Sequence, residues 1–178
     1  MSTDPPTVYY LAPDFDIPSW GNGALYNHVD LLNKNGIKAA IIHHKSPFRY
    51  TWFESTTKIV YLDDPSLRIN ENDFLIVPEV NVVDEIPKKI KCRKILFIQN
   101  VFIILTRLDK AYNFNDLGYE SSIVTMPHMK KVVELNYGVN ASVIPVAIAP
   151  YFFIKETELH NERSKSVLLL LKTVYKQL

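Results

Sequence analysis

Val8-Tyr9-Tyr10-Leu11-Ala12, the segment Pro13 to Gly23 and the pattern Ala24 to Asn35 decide how this chain is read. The first five residues are β-branched, aromatic or aliphatic, as in a strand covered on both faces. Leu25, Val29 and Leu32 recur at helical spacing and mark one apolar face. Gly36 is a stop signal for that helix, and Ile37 to Ile42 supplies a second apolar strand. Between strand and helix, Gly21 and Gly23 flank Asn22. Such a loop is expected to reach positive φ, approach a ligand closely and present free amides at a helix N-terminus. The whole is a β-loop-α-β unit, the part of an open α/β sheet that faces the ligand.

Further along, His44 to Thr57 lacks clear periodicity but gathers Phe48, Tyr50, Trp52 and Phe53, and reads as a functional loop or an unpatterned helix. Lys58 to Leu62 is a short strand, and Phe74 to Val77 is an apolar run ended by Pro78-Glu79. Asp84 to Lys91 is amphipathic and helix-like despite Pro87; Lys94 to Ile98 is a strand ended by Gln99-Asn100. Val101 to Leu108 is a helix or a lining loop. Ser122 to Thr125 is a strand, Pro127 and Gly138 bracket a helix with the stripe Met129, Val132 and Val133, and Val143 to Val146 is a last strand. This alternation predicts an α/β, Rossmann-like fold with a mostly parallel sheet and helices on both faces.

The 178 residues are 47% hydrophobic, enough to bury a real core. Lys plus Arg number 20 against 19 for Asp plus Glu, so no global field attracts nucleic acid, which is not an expected partner. The single cysteine, Cys92, suits a reducing compartment. Met1 to Thr7 reads as a disordered N-terminus, without the basic start and apolar run of a signal peptide. The expected location is the cytoplasm. Ile95 to Leu105 is too short and too interrupted to span a membrane. Asn140-Ala141-Ser142 matches a glycosylation acceptor and is read as a chance match.

Candidate site residues fall where strands end, the edge at which ligands bind in open sheets. Asp14 and Asp16, on the first loop, could hydrogen-bond a ligand, act as a base, or simply be solvated. His43 and His44 end the second strand, where an imidazole could orient a ligand. Gly21, Asn22 and Gly23 could contact a ligand phosphate or another part of a ligand, or be a plain turn. Glu79, Gln99 and Asn100 follow later strands on the same edge. The set names Asp14 and His44 as catalytic, and Gly21, Asn22, Gly23, His43, Glu79, Gln99 and Asn100 as substrate-binding. The aromatic set could stack on an acceptor or be buried beneath its loop. No metal site and no cofactor are expected, because no His or carboxylate set has ligand spacing. A dinucleotide fingerprint is excluded: Tyr26 replaces its third glycine, and His43-His44 stands where an acid would hold a ribose. A receiver-type phosphorylation site is excluded because Ile76-Val77-Pro78-Glu79 lacks the required Asp.

Trp20-Gly21-Asn22-Gly23 running into a helix and then Asn35-Gly36-Ile37, Ile95 to Asn100 with its polar Gln pair, and Ser122 to Thr125 followed by Tyr137-Gly138-Val139 and Val143-Ile144-Pro145 occur in a telling order. In that order the chain resembles the N-terminal half of a GT-B glycosyltransferase, close to the retaining family 4 and to its rhamnosyltransferase-like members. The resemblance covers about residues 8 to 153 and departs from the family at Ala147-Ile148-Ala149, where the linker has a glycine and an acid. It implies an acceptor-side domain at 8–153, then a linker and the first element of a donor-binding domain at 154–178. The implied partners are a nucleotide-sugar donor, a sugar or glycan acceptor, and a donor-binding domain or a second copy held through 165–178. The implied activity is hexosyl or rhamnosyl transfer when a donor domain completes the site, with the chain inactive alone. The alternative is a non-catalytic binding module or partner subunit derived from such an enzyme.

Overall fold

The structure, a computed structural model, describes residues 5–107 and 113–145. Seven strands make one sheet: β1 (Val8–Leu11), β2 (Ala39–His43), β3 (Ile59–Tyr61), β4 (Phe74–Pro78), β5 (Arg93–Ile98), β6 (Ser121–Val124) and β7 (Ala141–Val143). Their order is β3-β2-β1-β4-β5-β6-β7, and every neighbouring pair is parallel. The expected single parallel sheet is thus the sheet that forms. The last strand lies two residues earlier than its apolar run suggested, because Ala141 and Val143 pair with Ser122 and Val124. The family departure at Ala147-Ile148-Ala149 and the expected linker and first donor-domain element at 154–178 lie outside the described residues.

The two-residue period of the strands sorts the core onto two faces. Tyr10, Ala12, Ile41, Ile76 and Phe97 point to one face, where they meet Leu25, Tyr26 and Val29 of helix α1 (Trp20–Lys34). Tyr9, Leu11, Ile42, Leu75, Leu96 and Ile98 point to the other. There they meet Val101 and Ile104 of α3 (Val101–Arg107), and Met129, Val133 and Tyr137 of α4 (Pro127–Tyr137). Ile86 of the short α2 (Glu85–Lys89) packs on this same face. The chain steps outward from β1 in opposite directions to β2 and to β4, and right-handed crossovers then put the helices on opposite sides.

Between β2 and β3 no helix forms. Phe48, Tyr50, Trp52 and Phe53 cover α1's face of the sheet instead, supplying ring area where helical periodicity is missing. Pro87 falls in the first turn of α2, where a missing N–H costs nothing. Gly36 (φ 78°) follows α1 and Gly138 (φ 64°) caps α4, both in the left-handed region expected just past a helix end. Thr7 is already held: its N–H donates to Asp73 Oδ1 at 2.8 Å, and its carbonyl accepts from Phe74.

Candidate functional site

The strand order reverses between β1 and β4, so the crevice of an open α/β sheet lies outside their carboxyl ends. α1 starts there. Ser19 is its N-cap, with extended backbone, and its Oγ accepts from the Asn22 N–H at 3.4 Å. This corrects the sequence reading of Gly21 and Gly23: both lie in the first turn of the helix, and neither has positive φ. Their use is in what a side chain would displace. A Cβ on Gly21 would stand 3.3 Å from Gln99 Nε2, whereas one on Gly23 would make an ordinary 3.7 Å contact with the Trp52 ring.

From β5, Gln99 Nε2 donates to Gly21 O at 3.2 Å, joining two predicted site residues 78 positions apart. Its neighbour Asn100 donates its main-chain N–H to Glu79 Oε1 at 3.0 Å. Glu79 is buried just beyond β4, and Oε2 has no hydrogen-bond partner. Burial raises its pKa, against the main-chain N–H groups that favour the charged form. Asn22 is also buried, and its Nδ2 is likewise unpaired.

A second group forms where the β1 loop meets the end of β2. Asp14 Oδ1 lies 2.9 Å from His43 Nδ1, and the His44 and Lys45 N–H groups donate to the same carboxylate at 3.0 to 3.1 Å. On its far side, His43 Nε2 is 2.7 Å from the Tyr26 hydroxyl. A carboxylate facing three N–H donors assigns the proton to Nδ1, so Nε2 accepts from the phenol. His43 is fully buried, and that burial lowers its pKa although Asp14 opposes the shift. Burial pushes the Tyr26 phenol up. The result is a chain Tyr26–His43–Asp14 in which a neutral imidazole links phenol to carboxylate, ending in two main-chain amides. The His44 side chain stands apart from it, with Nε2 buried and unpaired.

Asp16 accepts from the Thr51 N–H at 2.9 Å and from its hydroxyl, and the Tyr50 hydroxyl donates to Pro13 O at 2.7 Å. The first loop and the aromatic loop are therefore tied together at three points. The rings of that loop pack on one another and on Tyr26 and His43, with centroids 4.4 Å apart for Trp52 and Phe53 and 4.7 Å for His43 and Phe48. Their area is used in packing, the second of the two outcomes the sequence allowed. Cys92 is half-buried, and burial lifts its thiol to about 11, so it is a poor nucleophile.

All nine predicted site residues lie at the carboxyl edge, His44 joining its group through its main-chain N–H alone. Sequence reading missed Tyr26 and Ser19. Ser19 carried a signal, a serine one residue before a helical run; Tyr26 carried none, because its partner is 17 residues away. A cavity of about 110 Å³ lies at the opposite, amino edge, lined by Thr7, Lys38, Asn70 and Asp73. Asp73 there already accepts from the Thr7 and Asn70 N–H groups, so the cavity has no unpaired acid. Among the described residues no group of three His, Cys, Asp or Glu could hold a metal, and no helix is long and apolar enough to cross a membrane.

No family model, curated protein or solved structure matches this chain. What the topology itself supports is a Rossmann-like domain of the kind that binds nucleotides or sugars in general.

Proposed function

We propose that residues 8–145 belong to the acceptor-side domain of a nucleotide-sugar-dependent glycosyltransferase of GT-B type, family-4-like in its motif order. The observation that carries the reading is the crevice between β1 and β4. There the first turn of α1, the Gln99-held carbonyl of Gly21 and the buried Glu79 converge. Main-chain N–H groups at the start of α1 suit a diphosphate, while amide and carboxyl groups beside them suit sugar hydroxyls. In this reading Asp14 holds the His44 and Lys45 amides in place, and the unpaired Nε2 of His44 orients an acceptor hydroxyl. The donor is a nucleotide-sugar drawn from the cytoplasm.

This domain supplies one wall of a cleft, and a donor-binding domain, in the same chain or another, supplies the other. Closure of the two excludes water and aligns donor with acceptor. One wall alone binds nucleotide with a Kd of about 1 mM, or about −4 kcal/mol. A second reading, a non-catalytic binding module, is favoured by one feature: both carboxylates of the first loop are engaged in holding loops, leaving no free base there.

The experiment is an amide-detected NMR titration with UDP, GDP and dTDP and their sugar conjugates. Shifts at the main-chain amides of Trp20 to Gly23 with a millimolar Kd are expected. No shift at about 20 mM, some twenty times that Kd, would refute the reading. Sugar transfer on addition of a donor-binding domain separates the enzyme from the module.

A further inference from the structure

Two buried polar atoms at the switch-point crevice have no hydrogen-bond partner: Oε2 of Glu79, a residue 4% exposed, and Nδ2 of Asn22, a residue 7% exposed. Native proteins almost always pair such atoms, so each marks a place for something else. The two are linked through a single dipeptide. β4 lies between β1 and β5 in the sheet, and Gln99 at the end of β5 bonds across to Gly21, next to Asn22. Asn100, the next residue, bonds to the other oxygen of Glu79. The Gln99-Asn100 bridge thus joins Glu79 to Gly21, the residue before Asn22. One offers an acceptor and the other a donor.

That pairing selects among ligands. A phosphate oxygen can only accept, and it would be repelled by the Glu79 carboxylate. A metal ion would find one carboxylate oxygen, an amide N–H₂ and the positive end of α1. A sugar hydroxyl both donates and accepts, and it is uncharged. We propose that Glu79 Oε2 and Asn22 Nδ2 form a subsite for a neutral polyol, with sugar hydroxyls donating to the former and accepting from the latter. This rests on the reading of the crevice as a sugar-handling site.

Two isosteric changes test it. Glu79→Gln keeps an oxygen for the Asn100 N–H and puts an amide donor where Oε2 stands. Asn22→Asp puts an acceptor where Nδ2 stands. Each alone sets like against like, and each weakens polyol binding about tenfold, the worth of one good hydrogen bond. The double variant Glu79→Gln/Asn22→Asp exchanges donor for acceptor, and because a hydroxyl can reverse its role, it binds within about threefold of the original.

The probes are the methyl glycosides of glucose, mannose, galactose and rhamnose, added to about 100 mM so that even weak sites fill. The readout is the Asn22 side-chain amide in the unaltered protein, then the affinity of each variant. A shift at that amide, loss in both single variants and recovery in the double variant are the expected result. No shift with any glycoside, or single variants that bind as the original does, would overturn the subsite and leave an internal water as the occupant. If a variant fails to fold, the titration of the unaltered protein still decides. Nucleoside diphosphates form the separating arm. A response to UDP, GDP or dTDP without one to any glycoside overturns the subsite and keeps the nucleotide reading. A glycoside response alone keeps the subsite and overturns that reading.

Discussion

Replacing Asp14 by Asn tests whether that residue organises the edge of the sheet. The carboxylate of Asp14 accepts from His43 Nδ1 at 2.9 Å, from the His44 N–H at 3.0 and 3.1 Å and from the Lys45 N–H at 3.0 Å. An asparagine keeps one oxygen and turns the other into a donor. Whichever way the amide is turned, its N–H₂ faces either His43 or the two main-chain amides, so at least one donor is left opposing another. Hydrogen bonds to a charged acceptor contribute about 1.5–3 kcal/mol, and a partner left unpaired in a buried place costs about 1–3 kcal/mol. Part of this is lost to solvent, because the Asp14 side chain is 18% exposed while His43 is 0%. The expected loss is about 2 kcal/mol, read as a lower midpoint in urea at unchanged slope. Amide hydrogen exchange should accelerate first at His44 and Lys45, and the wild-type His43 ring should show the Nδ1–H tautomer in its nitrogen shifts. A loss below about 0.5 kcal/mol with unchanged exchange at those amides, or the Nε2–H tautomer, would refute the network.

Stability should also fall as pH drops below about 6.5, the ordinary His pKa. Burial lowers the pKa of both His43 and His28 in the fold, so in that window the unfolded chain binds more protons; urea midpoints that rise on acidification would contradict this. Glu79 has the opposite sign, with its folded pKa raised, so its ionisation above that pKa opposes folding. Wild type should therefore gain stability relative to Glu79→Gln as pH falls toward about 4.3, and a pH-independent difference would show that the carboxyl is not desolvated. Gly138→Ala should cost about 1–2 kcal/mol, because φ is 64° and the new Cβ would stand 3.1 Å from Asn113 Nδ2. Gly21→Ala should change stability by less than about 0.5 kcal/mol, since better helix propensity offsets a displaced Gln99 side chain; equal losses at the two glycines in urea unfolding would undo that comparison.

The sheet was legible because strands covered on both faces must be apolar along their length. Phe74 to Val77 and Ile95 to Ile98 can hardly be anything else in a chain whose other segments punctuate them. β7 was misplaced by two residues because, among the described residues, it is an edge strand. Ser142 is exposed there, so the run that suggested a strand is not the run that pairs. The start of α1 was misread because two glycines suggest a loop, and a capping serine followed by a well-packed turn outweighed their low helix propensity. The edge on which the site residues meet follows from topology. Their partners do not: Asp14 with His43, Gln99 with Gly21 and Glu79 with Asn100 are 29, 78 and 21 residues apart, and only tertiary packing brings them together.

The position of β1 in the middle of the sheet has a consequence for how the chain is made. β1 pairs with β2 through Val8 to Leu11 and with β4 through Val8 to Tyr10, yet β4 ends more than thirty residues after β2. During synthesis at about 5–20 residues per second, β1 therefore emerges, gains its first neighbour, and waits some seconds for its second. Over that interval one side of an apolar strand has open backbone donors and acceptors, the template on which strands of other chains add. Helix α1 covers one face of that half-sheet early, but the helices that cover the other face, Tyr9 and Leu11 included, are α2, α3 and α4, all made after β4. The nascent chain is thus most open to aggregation between the emergence of His43 and that of Pro78, the stretch over which a holdase would matter most.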